Sequence, residues 1–109
     1  MINIKTFSNL ELRIGTILKA EEFPEAKKPA FKLEIDFGPF GIKWSSAQIV
    51  GNYSLEGLQG RKIVAIFNLG TKRIATFTSE VLVLGVPDAN GEVVLLEPDG
   101  DIPDGSRVN

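Results

Sequence analysis

A chain of 109 residues, 43% of them apolar, is long enough for one domain with a real core and too short for two. It contains neither cysteine nor histidine, which removes disulfides, thiolate nucleophiles, imidazole bases and zinc sites built on either residue. The formal charge of −2 hides a split: residues 1–79 carry eleven Lys or Arg against seven acids, whereas residues 80–109 carry Arg107 alone against seven, so one region suits a phosphate-rich ligand and the other repels it.

The N-terminal stretch MINIKTFSNLELR lacks a basic start followed by an apolar block. No apolar run approaches the roughly 18 residues of a membrane-spanning helix, so a soluble, cytoplasmic protein without membrane insertion is expected. In LRIGTILKAEEF, Leu12, Ile14, Thr16 and Leu18 alternate with Arg13, Gly15, Ile17 and Lys19. That is a strand, with Gly15 as a bend or close-packing point. Pro24 and Pro29 around Lys27 and Lys28 make the next segment a loop. FKLEIDF then sets Phe31, Leu33, Ile35 and Phe37 on one face against Lys32, Glu34 and Asp36, a half-exposed antiparallel strand. GPFG turns the chain into a third strand, GIKWSSAQI, and NYSLEGLQG holds a helical turn capped by Ser54.

RKIVAIFNL and SEVLVLGV read as further strands, the second joined to EVVLLEP by a hairpin at Asn90–Gly91. The order predicts an all-β domain, 1–109: a five-stranded OB-fold barrel with a short helix between strands 3 and 4, with a β-sandwich as the alternative. Residues 1–10 form an N-terminal extension and 88–109 a C-terminal hairpin and tail. Three late strands are apolar on both faces: Val64 and Ile66 oppose Ile63 and Ala65, Leu82 and Leu84 oppose Val81 and Val83, and Val94 and Leu96 oppose Val93 and Leu95. Either the termini cover the second face or a second copy does. For the second case the candidate dimer contacts are Ile4, Phe7, Leu82, Leu84, Val94 and Leu96.

The segments LELRIGTILKAEEFPEA, IKWSSAQIVGNYSLEGLQGRKIVAIFNLGTKRI and SEVLVLG, with the acidic Pro- and Gly-rich end, together resemble the tRNA-binding domain family. Within it the pattern is most similar to the short stand-alone members described as export-related chaperones. The resemblance spans about residues 9–108. It implies an OB-fold with appended terminal elements, a homodimer, recognition of tRNA by shape, affinity for unfolded or signal-bearing polypeptide, contact with the export machinery, no cofactor and no enzymatic step. It matches Asn68 and Leu69 to the family's lead-in to a basic loop, Lys72 and Arg73 to its cations, Ser79–Glu80 to the Ser-acid pair, and Ser45–Ser46 to the strand start. Departures stand at Gly70 and Thr71, where relatives often have Pro-Pro, near Ala75 and Thr76 where glycine is usual, at Thr78 where methionine is common, and at Trp44.

Candidate nucleic-acid contacts are therefore Lys72, Arg73, Asn68, Ser79, Ser46, Lys43 and Lys32, with Lys27 and Lys28 able to extend the track or simply to serve solubility. Candidate polypeptide contacts are Trp44, Phe40, Phe77 and Ile74. The plain alternative is that Lys72 and Arg73 keep a strand edge soluble and that the aromatics fill the core.

Overall fold

The computed structural model describes residues 1–109. The chain folds around one long strand, β1 (Leu12–Glu22), whose two halves take different partners. The first half pairs antiparallel with β4 (Lys62–Ile66), in register Leu12 to Ile66 and Thr16 to Lys62. The second half pairs with β2 (Phe31–Asp36), Thr16 to Asp36 and Glu22 to Phe31, with a bulge at the Ile17/Lys19 step that bends the sheet. β2 continues into β3 (Ile42–Ala47) through a 3-10 turn at Gly38–Phe40. With β7 (Leu82–Val83) beyond β4, the sheet order is β3-β2-β1-β4-β7.

The two outer strands meet across the remaining gap. Glu80 N–H donates to the Trp44 carbonyl at 2.7 Å, Ser46 N–H to Ser79 Oγ at 3.1 Å, and Ser45 Oγ to the Val81 carbonyl at 2.9 Å. The result is a nearly closed five-stranded antiparallel barrel of OB type, which leaves little unpaired edge. Its core holds Ile17, Leu33, Ile35, Phe37 and Ile63, with Leu58 of α2 (Leu55–Leu58) as a plug between β3 and β4. Ser54 caps that turn by accepting from Gly57 N–H at 3.0 Å. Gly15 is a close-packing point: a Cβ there would lie 2.6 Å from Ile35 Cγ2 and 2.8 Å from Phe37 Cε1.

Two segments differ from the strand reading. Lys72 and Arg73 do not sit in an open loop: they form β5 (Lys72–Ile74), a hairpin with β6 (Phe77–Ser79) across Ala75 and Thr76. The run SEVLVLGV is not one strand, because after β7 it turns into β8 (Gly85–Pro87), which pairs with β9 (Val93–Leu95) instead of the barrel. That hairpin forms where expected, but its loop is wider than a two-residue Asn-Gly turn. Asp88 N–H donates to the Glu92 carbonyl at 2.8 Å, leaving Ala89, Asn90 and Gly91 in the loop with Gly91 at φ 81°.

Neither terminus covers the outward row after β4, although Val64 and Ile66 of β4 are half-buried. Leu82, Val94 and Leu96 remain 46%, 44% and 40% exposed, and α1 (Ile4–Ser8), capped by Asn3, leaves Ile4 exposed as well. The C-terminal tail instead extends the first half of β1 at its free edge. Ile14 N–H donates to the Ser106 carbonyl, Gly105 N–H to the Ile14 carbonyl and Val108 N–H to the Leu12 carbonyl. Asp104 anchors the tail by accepting from Thr16 Oγ1 at 2.6 Å and Lys62 Nζ at 2.9 Å.

Candidate nucleic-acid and polypeptide interface

Register decides which side chains share a face, since residues directly opposed across an antiparallel pair point the same way. Ile35 is fully buried and faces Lys43, so Lys43 lies in the inward row of β3, at the open end of the barrel. Glu34 faces Trp44 and Lys32 faces Ser46, so these four occupy the outer face. Lys32 and Lys43 are thus on opposite faces of the sheet.

The β5–β6 hairpin folds over that outer face. Phe77 meets Trp44 edge-on at 6.0 Å and Phe23 at 5.3 Å, and Lys32 Nζ stands 5.5 Å from the Phe23 ring and 5.7 Å from Phe77. This gives a cation over two aromatic rings, Phe23 and Phe77, with Trp44 joined to them edge-on through Phe77. Phe23 is the member the sequence did not single out, although its place between acids and Pro24 is visible in EEFPEA.

Within the hairpin, Lys72 faces Ser79, Ile74 faces Phe77, and Arg73 faces Thr78. Lys72 and Ile74 therefore point to one side and Arg73 to the other. On the Lys72 side, the hairpin overhangs a groove of about 570 Å³ with Leu82, Leu84 and Val93 along it and Ser46 and Gln48 at the β3 end. On the other side, Thr78 borders a second depression of about 450 Å³ shared with Lys43, Phe67 and Glu80. The cations thus lie on both flanks of the hairpin.

Several candidate side chains are engaged within the chain. Asn68 ties down the N-terminal segment, its Oδ1 accepting from Glu11 N–H at 2.9 Å and its Nδ2 donating to the Asn9 carbonyl at 2.8 Å. Ser79 is buried in the barrel closure, where its Oγ accepts from Ser46 N–H. Phe40 lies apart from Trp44 and Phe77: Arg13 stacks 3.8 Å from its ring centroid and Phe67 meets it at 6.0 Å. Ile4 and Phe7 stand at the N-terminal segment, beside Leu10 and Val108.

Acids limit the free positive charge. Glu21 lies 3.9 Å from Lys32 and Glu80 3.9 Å from Lys43, distances at which exposed pairs contribute little and a phosphate can replace the carboxylate. Lys19 is bound more closely to Glu21, at 2.8 Å. That hydrogen bond holds the Glu21 carboxyl below its ordinary range and raises the Lys19 ammonium above its own.

Against known proteins, the family profile described as "Putative tRNA binding domain" matches residues 12–107. The chain belongs to the tRNA-binding domain family. It is similar over its whole length to the chaperone CsaA of Bacillus anthracis, at 55% identity and TM-score 0.93, covering 99% of that chain. The CsaA chaperone protein of Picrophilus torridus matches at 47% identity and TM-score 0.93, with both chains covered in full. Among longer members, a methionine–tRNA ligase of Methanococcus aeolicus is 39% identical over 108 residues, 99% of this chain and 16% of the ligase. The corresponding enzyme of Flavobacterium johnsoniae is 31% identical over 109 residues, all of this chain and 15% of that one. The chain thus spans about a sixth of the length of these curated relatives. The domain has lent itself both to short chains and to large synthetases.

Proposed function

We propose that this protein is a non-enzymatic, CsaA-type member of the family that binds tRNA across the β5–β6 hairpin. The observation that carries the reading is the placement of cations on both flanks of one hairpin whose Phe77 completes an aromatic platform with Trp44. A phosphate backbone crossing the hairpin meets Lys32 and Lys72 on one flank and Arg73 and Lys43 on the other, while an unstacked base has Trp44 to lie against. Arginine offers a planar fork and the lysines mobile charges. Such contacts read backbone and shape, consistent with recognition of tRNA without a sequence code.

The test is a salt series with total tRNA and a DNA duplex of similar length. Four neutralised phosphates predict that log affinity falls with log salt at a slope of roughly −3 to −4. Binding of tRNA that exceeds duplex binding is the expected outcome. No tRNA binding at low salt, where screening is weakest, overturns the reading.

The groove on the Lys72 flank favours a second activity for the same molecule, capture of unfolded or precursor polypeptide by its apolar wall of Leu82, Leu84 and Val93. The CsaA relatives are named as chaperones, and this reading extends that role here, with cytoplasmic clients and export partners. It includes a homodimer through the outward row of Leu82, Val94 and Leu96 and the apolar side of α1, which sedimentation checks directly.

A further inference from the structure

The polypeptide reading leaves open what kind of segment the groove takes and how it is held. β5 pairs with β6 alone, so its other edge carries main-chain groups without a strand partner. The approach to it, Leu69 to Thr71, is exposed. An unpaired edge beside an apolar groove is the arrangement in which a peptide docks by adding a strand: main-chain hydrogen bonds hold it and alternate side chains fill the groove. Unguarded edges of this kind pair with any extended chain, and charged residues on them restrict what can pair.

Here the guards have one sign. Lys72 and Arg73 are both exposed, no acid lines the groove, and Lys72 is its one charged lining residue. Because their side chains leave the strand in opposite directions, a chain laid along β5 faces a cation on either side. A basic segment is repelled at both positions and an acidic one attracted at both. Ile74, two residues from Lys72 on the same side, supplies the apolar position that points to the groove.

We propose that β5 accepts an extended polypeptide as an added strand, selecting segments in which apolar residues facing Ile74 and the groove alternate with acidic residues facing Arg73. The inference rests on the polypeptide reading of the previous subsection and narrows it to a class of client, acidic and apolar in alternation. Basic residues in place of the acidic ones are repelled by Arg73, and Lys72, on the groove side with Ile74, disfavours a further cation there.

The experiment uses the full chain and three labelled decapeptides followed by fluorescence anisotropy at low salt. The first alternates Val and Glu. The second replaces Glu by Lys, and the third keeps the first sequence with alternate backbone nitrogens methylated. The first is expected to bind, the second at least about tenfold more weakly, and the third not measurably. Arg73→Glu should narrow or invert the preference between the first two, a gain for the Lys peptide that misfolding does not produce. Equal binding of the first and third peptides overturns strand addition, and equal binding of the first and second overturns the charge selection. If the variant Ile74→Asp abolishes a self-associated form without affecting peptide binding, the edge belongs to a second copy and the proposal falls. A permanently unfolded, reduced and carboxymethylated protein runs in parallel. Its capture without the peptide preference overturns this inference alone, and failure of every polypeptide to bind overturns the underlying reading too.

Discussion

The molecule carries two small hairpins of three-residue strands outside the main sheet, and they are built to opposite specifications. In β8–β9 the turn residue with positive φ is Gly91, which adopts it without a steric penalty. The Asp88 carboxylate accepts from the backbone N–H groups of Asn90 and Glu92 and from Asn52 Nδ2. Leu95 is buried in the core cluster, and its N–H donates to the Tyr53 hydroxyl. In β5–β6 the positive φ, 54°, falls on Ala75, where a Cβ makes it costly. The one side-chain bond to that turn runs from Arg73 Nε to the Ala75 carbonyl at 3.2 Å, and Phe77, half-buried on the outer face, is the hairpin's main apolar anchor. One hairpin is tied to the barrel through both its turn and its second strand, whereas the other joins it through Phe77 and the buried Ser79 and leaves Lys72 and Arg73 exposed, the weaker local anchorage of the two.

If that contrast is right, deleting the two anchors has unequal effects. Leu95→Ala should remove about 2–4 kcal/mol of global stability, seen as a lower urea midpoint. Phe77→Ala should cost less than half as much, yet lower tRNA affinity about tenfold, within the range of a lost aromatic stacking contact. Equal losses of stability would erase the distinction. Next in size, Lys72→Ala with Arg73→Ala should leave the urea midpoint in place, weaken tRNA about tenfold or more at low salt, and flatten the salt slope by roughly two units.

Exchanging the turn residues sharpens the comparison further. Gly91→Ala should cost about 1 kcal/mol, whereas Ala75→Gly relieves a strained φ and should be neutral or stabilising by up to about 1 kcal/mol. The smallest effect is that of pH on the capped loop. Hydrogen bonds from Asn52 and from the Asn90 and Glu92 amides hold the Asp88 carboxyl below the usual carboxylate range. Its contribution is complete above the unfolded-state value and is lost as pH falls through the lower folded value. Exchange protection of the Asn90 and Glu92 amides should therefore weaken on acidification, and Asp88→Asn should flatten that dependence while leaving β5–β6 unchanged.

The same contrast marks what could be read from the amino acids. FKLEIDF declares its buried face because its alternation is unbroken, and every member of the Phe31–Phe37 row is buried. Ser54 declares its cap because hydroxyl and helix start are neighbours in sequence. GIKWSSAQI mixes both rows, so nothing local shows that Lys43 shares the inner face with Ile35 while Trp44 shares the outer one with Lys32. Only pairing to β2 fixes that phase. Ser79 and Asn68 look like free hydrogen-bonding groups in the chain text, but their partners lie 33 and 57 residues away. The β5–β6 hairpin reads as a loop in the sequence because three polar-rich residues per strand give no periodicity, and the apolar run after it carries the stronger strand signal.

The tail that finishes the first half of β1 has a consequence for how the molecule is made. Arg13 and the Gly105 carbonyl it holds are separated by 92 residues. At roughly 5–20 residues per second of synthesis, the edge of the central strand stays bare for about 5–20 s after Arg13 has been added. During that interval the nascent chain itself offers an unsatisfied strand to its neighbours, and the barrel becomes safe from them only when residues 105–108 arrive.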